Sequence, residues 1–368
     1  MLEQRQKLEN FLLDHGQPIP EHPLVDISGK VEGNAYSLWP YAGDQTGDID
    51  LASAQLDVAA QINSWATAFM SLKYDPSAPF FLVQRSANSR VFLENGFLTI
   101  GSFNHSPFYF TMGQVFVPFG RYSSHMLSAP LPFFIGRTKA RVAMLGYRQG
   151  ADGFYGSIYG FRGDSFGPSH TQGGANLGYR YVNDRVNLYV ASGLIANIAD
   201  AGGMQAAAAA GFIGFGATPA TQMLEHRVPG FDIHGGLSVG KFDFIAEFLT
   251  ATRAFSIADM TFNGDGARPK AFNLEGAYHF GLFGHPSSIA VGYGHSSEAL
   301  ALGLPRHRFI VAVNTSFWRD TIETLEFRHD ENYAVGSTAS GAAIPVLIAP
   351  GTLGESMDII TGQVSVYF

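Results

Sequence analysis

Leu24-Val25-Asp26-Ile27-Ser28-Gly29-Lys30-Val31-Glu32-Gly33-Asn34-Ala35 alternates at every step. Val25, Ile27, Gly29, Val31, Gly33 and Ala35 fall on one face, and Asp26, Ser28, Lys30, Glu32 and Asn34 on the other. A period of two puts successive side chains on opposite faces of a strand. Apolar or small residues on one face and charges on the other suit a strand with lipid outside and water inside. Strands of soluble proteins average about 5–6 residues and rarely sustain such a pattern for so long.

The pattern recurs in sixteen segments: 24–37, 50–62, 65–74, 89–100, 107–118, 138–149, 152–163, 174–182, 185–198, 227–239, 241–253, 270–280, 287–297, 306–317, 321–332 and 355–368. The number is even, as in single-chain bacterial barrels, and each segment is long enough to cross the apolar band. Link lengths sort by parity. Asn63-Ser64, Gly150-Ala151, Asn183-Asp184, Gly240 and Arg319-Asp320 sit in short links, and 38–49, 75–88, 119–137, 164–173, 199–226, 254–269 and 333–354 are long. The contrast is weakest between 281–286 and 298–305. Short periplasmic turns and long outer loops are the barrel signature, so both termini are expected in the periplasm. The last residues, Val364-Ser365-Val366-Tyr367-Phe368, place Val364, Val366 and Phe368 toward lipid, with Phe368 in the interfacial aromatic girdle.

Composition agrees. The chain is 46% hydrophobic and 15% charged, with 43 glycines, 31 phenylalanines, no cysteine and a formal charge of −8. No run of eighteen apolar residues exists, so helical spans are not expected. Without cysteine there is no disulfide, thiolate metal site or cysteine nucleophile. The negative charge gives no nucleic-acid signal. Met1-Leu2-Glu3-Gln4-Arg5 shows no apolar leader, and a leader already removed is the expectation. Leu8, Phe11 and Leu12 lie at helical spacing before Gly16. We therefore read 1–22 as a periplasmic tail, partly helical, and 23–368 as one all-β transmembrane barrel of about sixteen strands.

Catalytic and cofactor motifs are missing. The histidines form no HExxH pair, no Gly-x-Ser-x-Gly occurs, and Gly173-Gly174 opens a strand rather than a helix. No enzyme activity, cofactor or metal is expected. The alanine-rich stretch 205–216 lies in the longest loop and reads as a short helix or a lid.

By parity, Lys30, Lys73, Arg141, Arg180, Arg253, Arg308 and Arg328 face the lumen, with Asp26, Glu32, Asp57, Asp232, Asp243, Glu247, Glu275, Glu326, His234 and His279. Most of these charges suit a cross-strand ion-pair lattice. A guanidinium ladder for anionic solutes is the functional alternative. The link 119–137 is unusually apolar, with Met126, Leu127, Leu131, Phe133, Phe134 and Ile135. Folding into the lumen would bury it and bring Arg121, Tyr122 and His125 to a constriction. Packing outward, on the rim or another subunit, is the other option. The candidate pore-lining residues are thus Lys30, Arg121, Tyr122, His125, Arg141, Arg180, Arg308 and Arg328.

Arg90-Val91-Phe92-Leu93-Glu94-Asn95-Gly96-Phe97-Leu98-Thr99-Ile100-Gly101 leads into Ser106-Pro107-Phe108-Tyr109-Phe110 and then Gly113-Gln114-Val115-Phe116-Val117-Pro118-Phe119-Gly120-Arg121-Tyr122-Ser123. This stretch resembles the LbtU-type siderophore porin family, the legiobactin-receptor family of Legionella-like bacteria. The resemblance implies a sixteen-stranded outer-membrane barrel that takes up a ferric carboxylate siderophore without a plug domain. The expected partners are therefore a small solute, a ferric siderophore in particular, and outer-membrane lipid. A general or differently selective diffusion porin and a surface adhesin are the alternative functions, and the sequence leaves oligomeric state open.

Overall fold

The chain is described by a computed structural model, which covers all residues except 1, 3–5, 8–9, 12–13, 16–22, 76–89, 151, 166–169, 207–214, 216–223 and 340–351. The strands of the first half are β1 (Leu24–Trp39), β2 (Thr46–Gln61), β3 (Ala66–Asp75), β4 (Arg90–Gly101), β5 (Phe108–Phe116), β6 (Lys139–Arg148), β7 (Gly153–Arg162), β8 (Thr171–Val182) and β9 (Val186–Ile195). The second half supplies β10 (Gly230–Val239), β11 (Phe242–Ala251), β14 (Lys270–Leu282), β15 (His285–Ser297), β16 (His307–Thr315), β17 (Thr321–Glu331) and β18 (Ser356–Tyr367). A two-stranded hairpin, β12 (Thr261–Phe262) with β13 (Asp265–Gly266), stands apart from the barrel. Helices α1 (Leu131–Gly136) and α2 (Gly202–Ala206) lie in long links.

The sixteen long strands close into one barrel, antiparallel throughout, with β1 pairing β18. All sixteen segments expected from alternation are present. Closure leaves no sheet edge unpaired, which a lipid environment requires. Gly29 and Phe368 exchange backbone hydrogen bonds in both directions, so the last residue completes the seam. The doubtful link resolves cleanly. Phe283 (φ 50) and Gly284 (φ 85) form the two-residue turn between β14 and β15, and two positive φ values are the hairpin geometry that matches strand twist. Residue 283 is the strained one of the pair; glycine at 284 adopts its conformation freely.

Faces follow parity. Val25, Ile27, Leu56, Val91, Leu177, Val311, Leu325 and Val364 are exposed large apolar residues. Lys30, Asp57 and Glu275 sit on the opposite parity, facing the lumen, and Glu275 is buried. Two bulges shift the phase, one where Glu32/Gly33 meets Ser53/Leu51 and one where Ser71/Leu72 meets Asn95/Leu93. The first keeps Ile49 and Leu51 outward, which is why β2 extends beyond the uniform alternation of 50–62.

Arg141 departs from the expectation. On β6, Val142 and Met144 pair with Phe161 and Tyr159 and join the interior apolar cluster. Arg141 therefore shares the outward parity of Ala143 and Leu145 and is exposed. The misreading has a physical cause: an apolar element packs against this wall from inside, so the hydropathy of the two faces is locally inverted. Arg253 also leaves the lumen list, because β11 ends at Ala251 and Arg253 donates to the Arg227 carbonyl in the following link. The tail 1–22 falls mostly outside the described residues; those of it that are helical include Gln6, Lys7, Asn10 and Phe11.

Leu325 is 59% exposed near the middle of β17. Leu325→Arg should destabilise the barrel by about 2–4 kcal/mol, the cost of an arginine at the bilayer midplane. Reversible urea unfolding in lipid vesicles would measure it.

Candidate functional site: the constriction loop

The link 117–138 between β5 and β6 turns into the lumen. Its apolar residues become core: Phe119, Leu131 and Ile135 have no exposed surface. Pro130 precedes α1 and Pro132 lies within its first turn, a position where the missing N–H is harmless. The short helix packs against β11, β14 and β15. Glycines on the wall make room for it. A Cβ at Gly294 would meet Leu131 Cδ1 at 3.1 Å, and one at Gly292 would meet Met126 Cε at 3.2 Å. Links 196–229 and 252–269 add Ile198, Met204, Phe215, Leu224, Val228, Phe255 and Met260 to the same cluster. Within the alanine-rich stretch, residues 207–214 lie outside the described residues, and Phe215 stacks on Phe255 at 5.2 Å.

Three glutamates fix the loop. Glu247 of β11 accepts the backbone N–H groups of Arg121 at 2.9 Å and Tyr122 at 2.8 Å. Glu275 of β14 accepts Ser124 Oγ–H at 2.8 Å and His125 N–H at 2.8 Å. Glu326 of β17 accepts Leu127 N–H at 2.6 Å, Ser128 N–H at 3.1 Å and the Ser128 hydroxyl. The three carboxylates step round the wall as the loop advances. Each oxygen pair is a fork for adjacent donors, and hydrogen bonds to an ionised group are the strong ones. Tyr122 takes a left-handed conformation (φ 55), which aims its N–H at Glu247 and its hydroxyl at the Phe119 carbonyl, 2.7 Å away. Burial and the Glu247 charge push its phenol well above the usual range, so it remains a donor.

The expected pore-lining residues separate into groups. Arg308 pairs with Asp330 through Nε at 2.7 Å and Nη2 at 2.9 Å, and its Nη1 donates to the Ala129 carbonyl at 3.1 Å. Arg328 donates to Ser128 Oγ at 3.0 Å and lies 3.3 Å from Asp330. Both brace the loop. Lys30 pairs with Glu32 at 2.8 Å on β1, away from the loop. Arg180 lies on the lumen parity of β8, and Arg141 is outside as described. His125 meets His279 edge-on at 6.4 Å. Arg121 differs. Its guanidinium lies 3.9 Å over the Tyr189 ring and donates to Ser123 Oγ at 3.1 Å, and no carboxylate pairs with it among the described residues. Arg148 of β6 and Arg180 of β8 lie on the lumen parity, with Tyr155 on the strand between them, and Arg148 Nε donates to the Gly150 carbonyl at 2.9 Å. Tyr155, Tyr189 and Arg148 were missed in the sequence. Their only signal is lumen parity within β7, β9 and β6.

A closed antiparallel barrel of sixteen strands narrowed by an inserted loop is a porin-type barrel. The solved structures similar to it have that fold: the outer-membrane channel DcaP of Acinetobacter baumannii, with a TM-score of 0.58 at 11% identity covering 94% of this chain and 97% of that one. The anion-selective porin of Comamonas acidovorans gives 0.58 at 12% identity over 94% of this chain and 100% of its own. Pseudomonas putida OprB gives 0.57 at 10% identity over 98% and 96%. No family model matches the chain. It belongs to the UPF0422 protein family. It is 40% identical over 376 residues to the UPF0422 protein of Legionella pneumophila strain Philadelphia 1, covering 100% of this chain and 71% of that protein. It is 39% identical over 359 residues to that of Coxiella burnetii, covering 96% and 74%.

Glu326→Ala would strand the Leu127 and Ser128 N–H groups. A hydrogen bond to a charged group is worth about 1.5–3 kcal/mol, so hydrogen–deuterium exchange at these amides should accelerate roughly ten- to a hundredfold, with the barrel strands unaffected.

Proposed function

We propose that this chain is an outer-membrane porin for small anionic solutes, with a ferric carboxylate siderophore as its substrate class. The observation that carries the anionic reading is Arg121, held at the inserted loop over Tyr189 without a carboxylate partner among the described residues. The glutamates nearest the loop are occupied by its N–H and O–H groups. Their charge is offset by donors that do not move, whereas the Arg121 guanidinium is exposed and free to meet a solute. Arg148 and Arg180, on the lumen parity of β6 and β8, add two further guanidinium groups to the same side. An arginine forks onto a carboxylate with two parallel bonds, so this wall suits a polycarboxylate better than a neutral sugar.

The siderophore part rests on the resemblance of residues 90–123 to siderophore porins. The Comamonas acidovorans structure, similar in fold alone, is that of an anion-selective porin, which is consistent with this reading. The orientation that follows puts the short turns and both termini in the periplasm and the long links outside. The constriction loop then enters from the outer side and meets solute first.

Purified protein should raise the conductance of planar bilayers. Arg121→Ala should move the reversal potential in a salt gradient toward cation preference, and deletion of 124–132 should enlarge single-channel conductance. A ferric polycarboxylate chelate should block chloride current in the parent more strongly than in Arg121→Ala. Parent-like selectivity in both variants would remove the loop as the filter. Unblocked current with intact anion preference would leave an anion porin without siderophore specificity.

A further inference from the structure

Behind the first loop anchor lies a group of side chains that the solute reading does not use. Asp232 and His234 are two residues apart on β10, both on the lumen parity, and the register puts His234 opposite Glu247 of β11. Asp232 has no exposed surface, Glu247 is 4% exposed, and the His234 side chain is 10% exposed. Each residue offers one donor atom, and the three atoms lie within 4.8 Å of one another. His234 Nδ1 is 2.7 Å from Asp232 Oδ2. The other Asp232 oxygen, Oδ1, is buried with no hydrogen-bond partner. Gly193 on the neighbouring strand leaves the room it needs, since a Cβ there would collide with this oxygen.

Charge makes the group unusual. Two buried carboxylates face one imidazole, and the two loop N–H groups on Glu247 supply only partial positive charge. A buried carboxylate oxygen without a partner is costly. A protonated imidazole would balance one carboxylate and leave the other. A divalent cation would balance both and take the unused Oδ1 lone pairs. One imidazole nitrogen and two carboxylates form a borderline donor set, suited to zinc, cobalt(II) or iron(II), with lumen water completing the shell.

We propose that Asp232, His234 and Glu247 bind a divalent transition-metal cation, and that the bound metal locks the constriction loop. Glu247 belongs to both devices. It would hold the metal while accepting the Arg121 and Tyr122 N–H groups, so fixing its carboxylate fixes the loop's first anchor. The site stands whether or not the solute is an anion.

Cobalt(II) is the probe. Titrated into the folded, detergent-solubilised protein, it should give visible d–d absorption saturating at one equivalent. Affinity should fall roughly tenfold to a hundredfold or more in His234→Ala and in Asp232→Asn, since even outer-shell partners of a metal are worth that much. Heat-modifiable gel migration verifies that each variant is folded, and His234→Gln serves if His234→Ala is not. Zinc should slow hydrogen exchange at the Arg121 and Tyr122 amides. Absence of a cobalt spectrum in the folded parent, or equal affinity in the variants, overturns the site. Cobalt binding with unchanged amide exchange overturns the lock.

Discussion

A peptide N–H buried inside a barrel must find an acceptor, and where apolar packing excludes water that acceptor has to come from the protein. The strand amides are largely committed to the ladder, and the loop stretch 121–128 turns instead to side chains of the wall. Glu247, Glu275 and Glu326 meet that demand on three strands of one wall. Their spacing follows the course of 121–128. Because the loop is held there, Phe119, Leu131 and Ile135 are delivered to the barrel interior, and the wall opposite them must be apolar or small. Gly292, Gly294, Leu249 and Ile310 on the lumen face follow from that requirement.

The anchoring also sorts the charges. The acidic residues nearest the loop are occupied by donors, and Arg308 and Arg328 are engaged by Asp330 and by the loop itself. The side toward β6–β9 is basic and aromatic: Arg121, Arg148 and Arg180 with Tyr155 and Tyr189. A lumen with a near balance of formal charge thus acquires sides of different character, one filled and self-neutralised and one lined by guanidinium and phenol groups. Net charge says nothing of this, because a field inside a lumen depends on where each charge sits and not on the sum.

Alternation made the barrel legible. Each of the sixteen segments carries its own two-sided constraint, lipid against water, so strand positions could be read locally. Loop 119–137 was legible for the complementary reason, since its apolar content had no place in water. Arg141 was not, because Val142 and Met144 face apolar partners inside and the two-sided contrast fails there. The anchors were invisible for a different reason. Glu326 and Leu127 are separated by 199 residues, and Glu247 and Arg121 by 126. Such pairs are set by the order of strands round the barrel. The Asp232, His234 and Glu247 group similarly arises from the β10–β11 register and has no motif spacing.

The three anchors differ in what could release them. Glu326 accepts two amides and a hydroxyl, and that same hydroxyl receives Arg328, so its hold is shared among several groups. Glu275 is additionally steadied by Asn273 at 2.8 Å. Glu247 holds only backbone donors and has Asp232 and His234 beside it. It is also the anchor next to Gly120 (φ 74) and Tyr122 (φ 55), where two left-handed residues turn the chain off the β5 direction. The loop is thus held by backbone and side-chain donors at its far end and by two backbone donors alone at its near end. Arg121 stands at that near end, where its own N–H makes one of the two bonds to Glu247 and its guanidinium reaches over the Tyr189 ring.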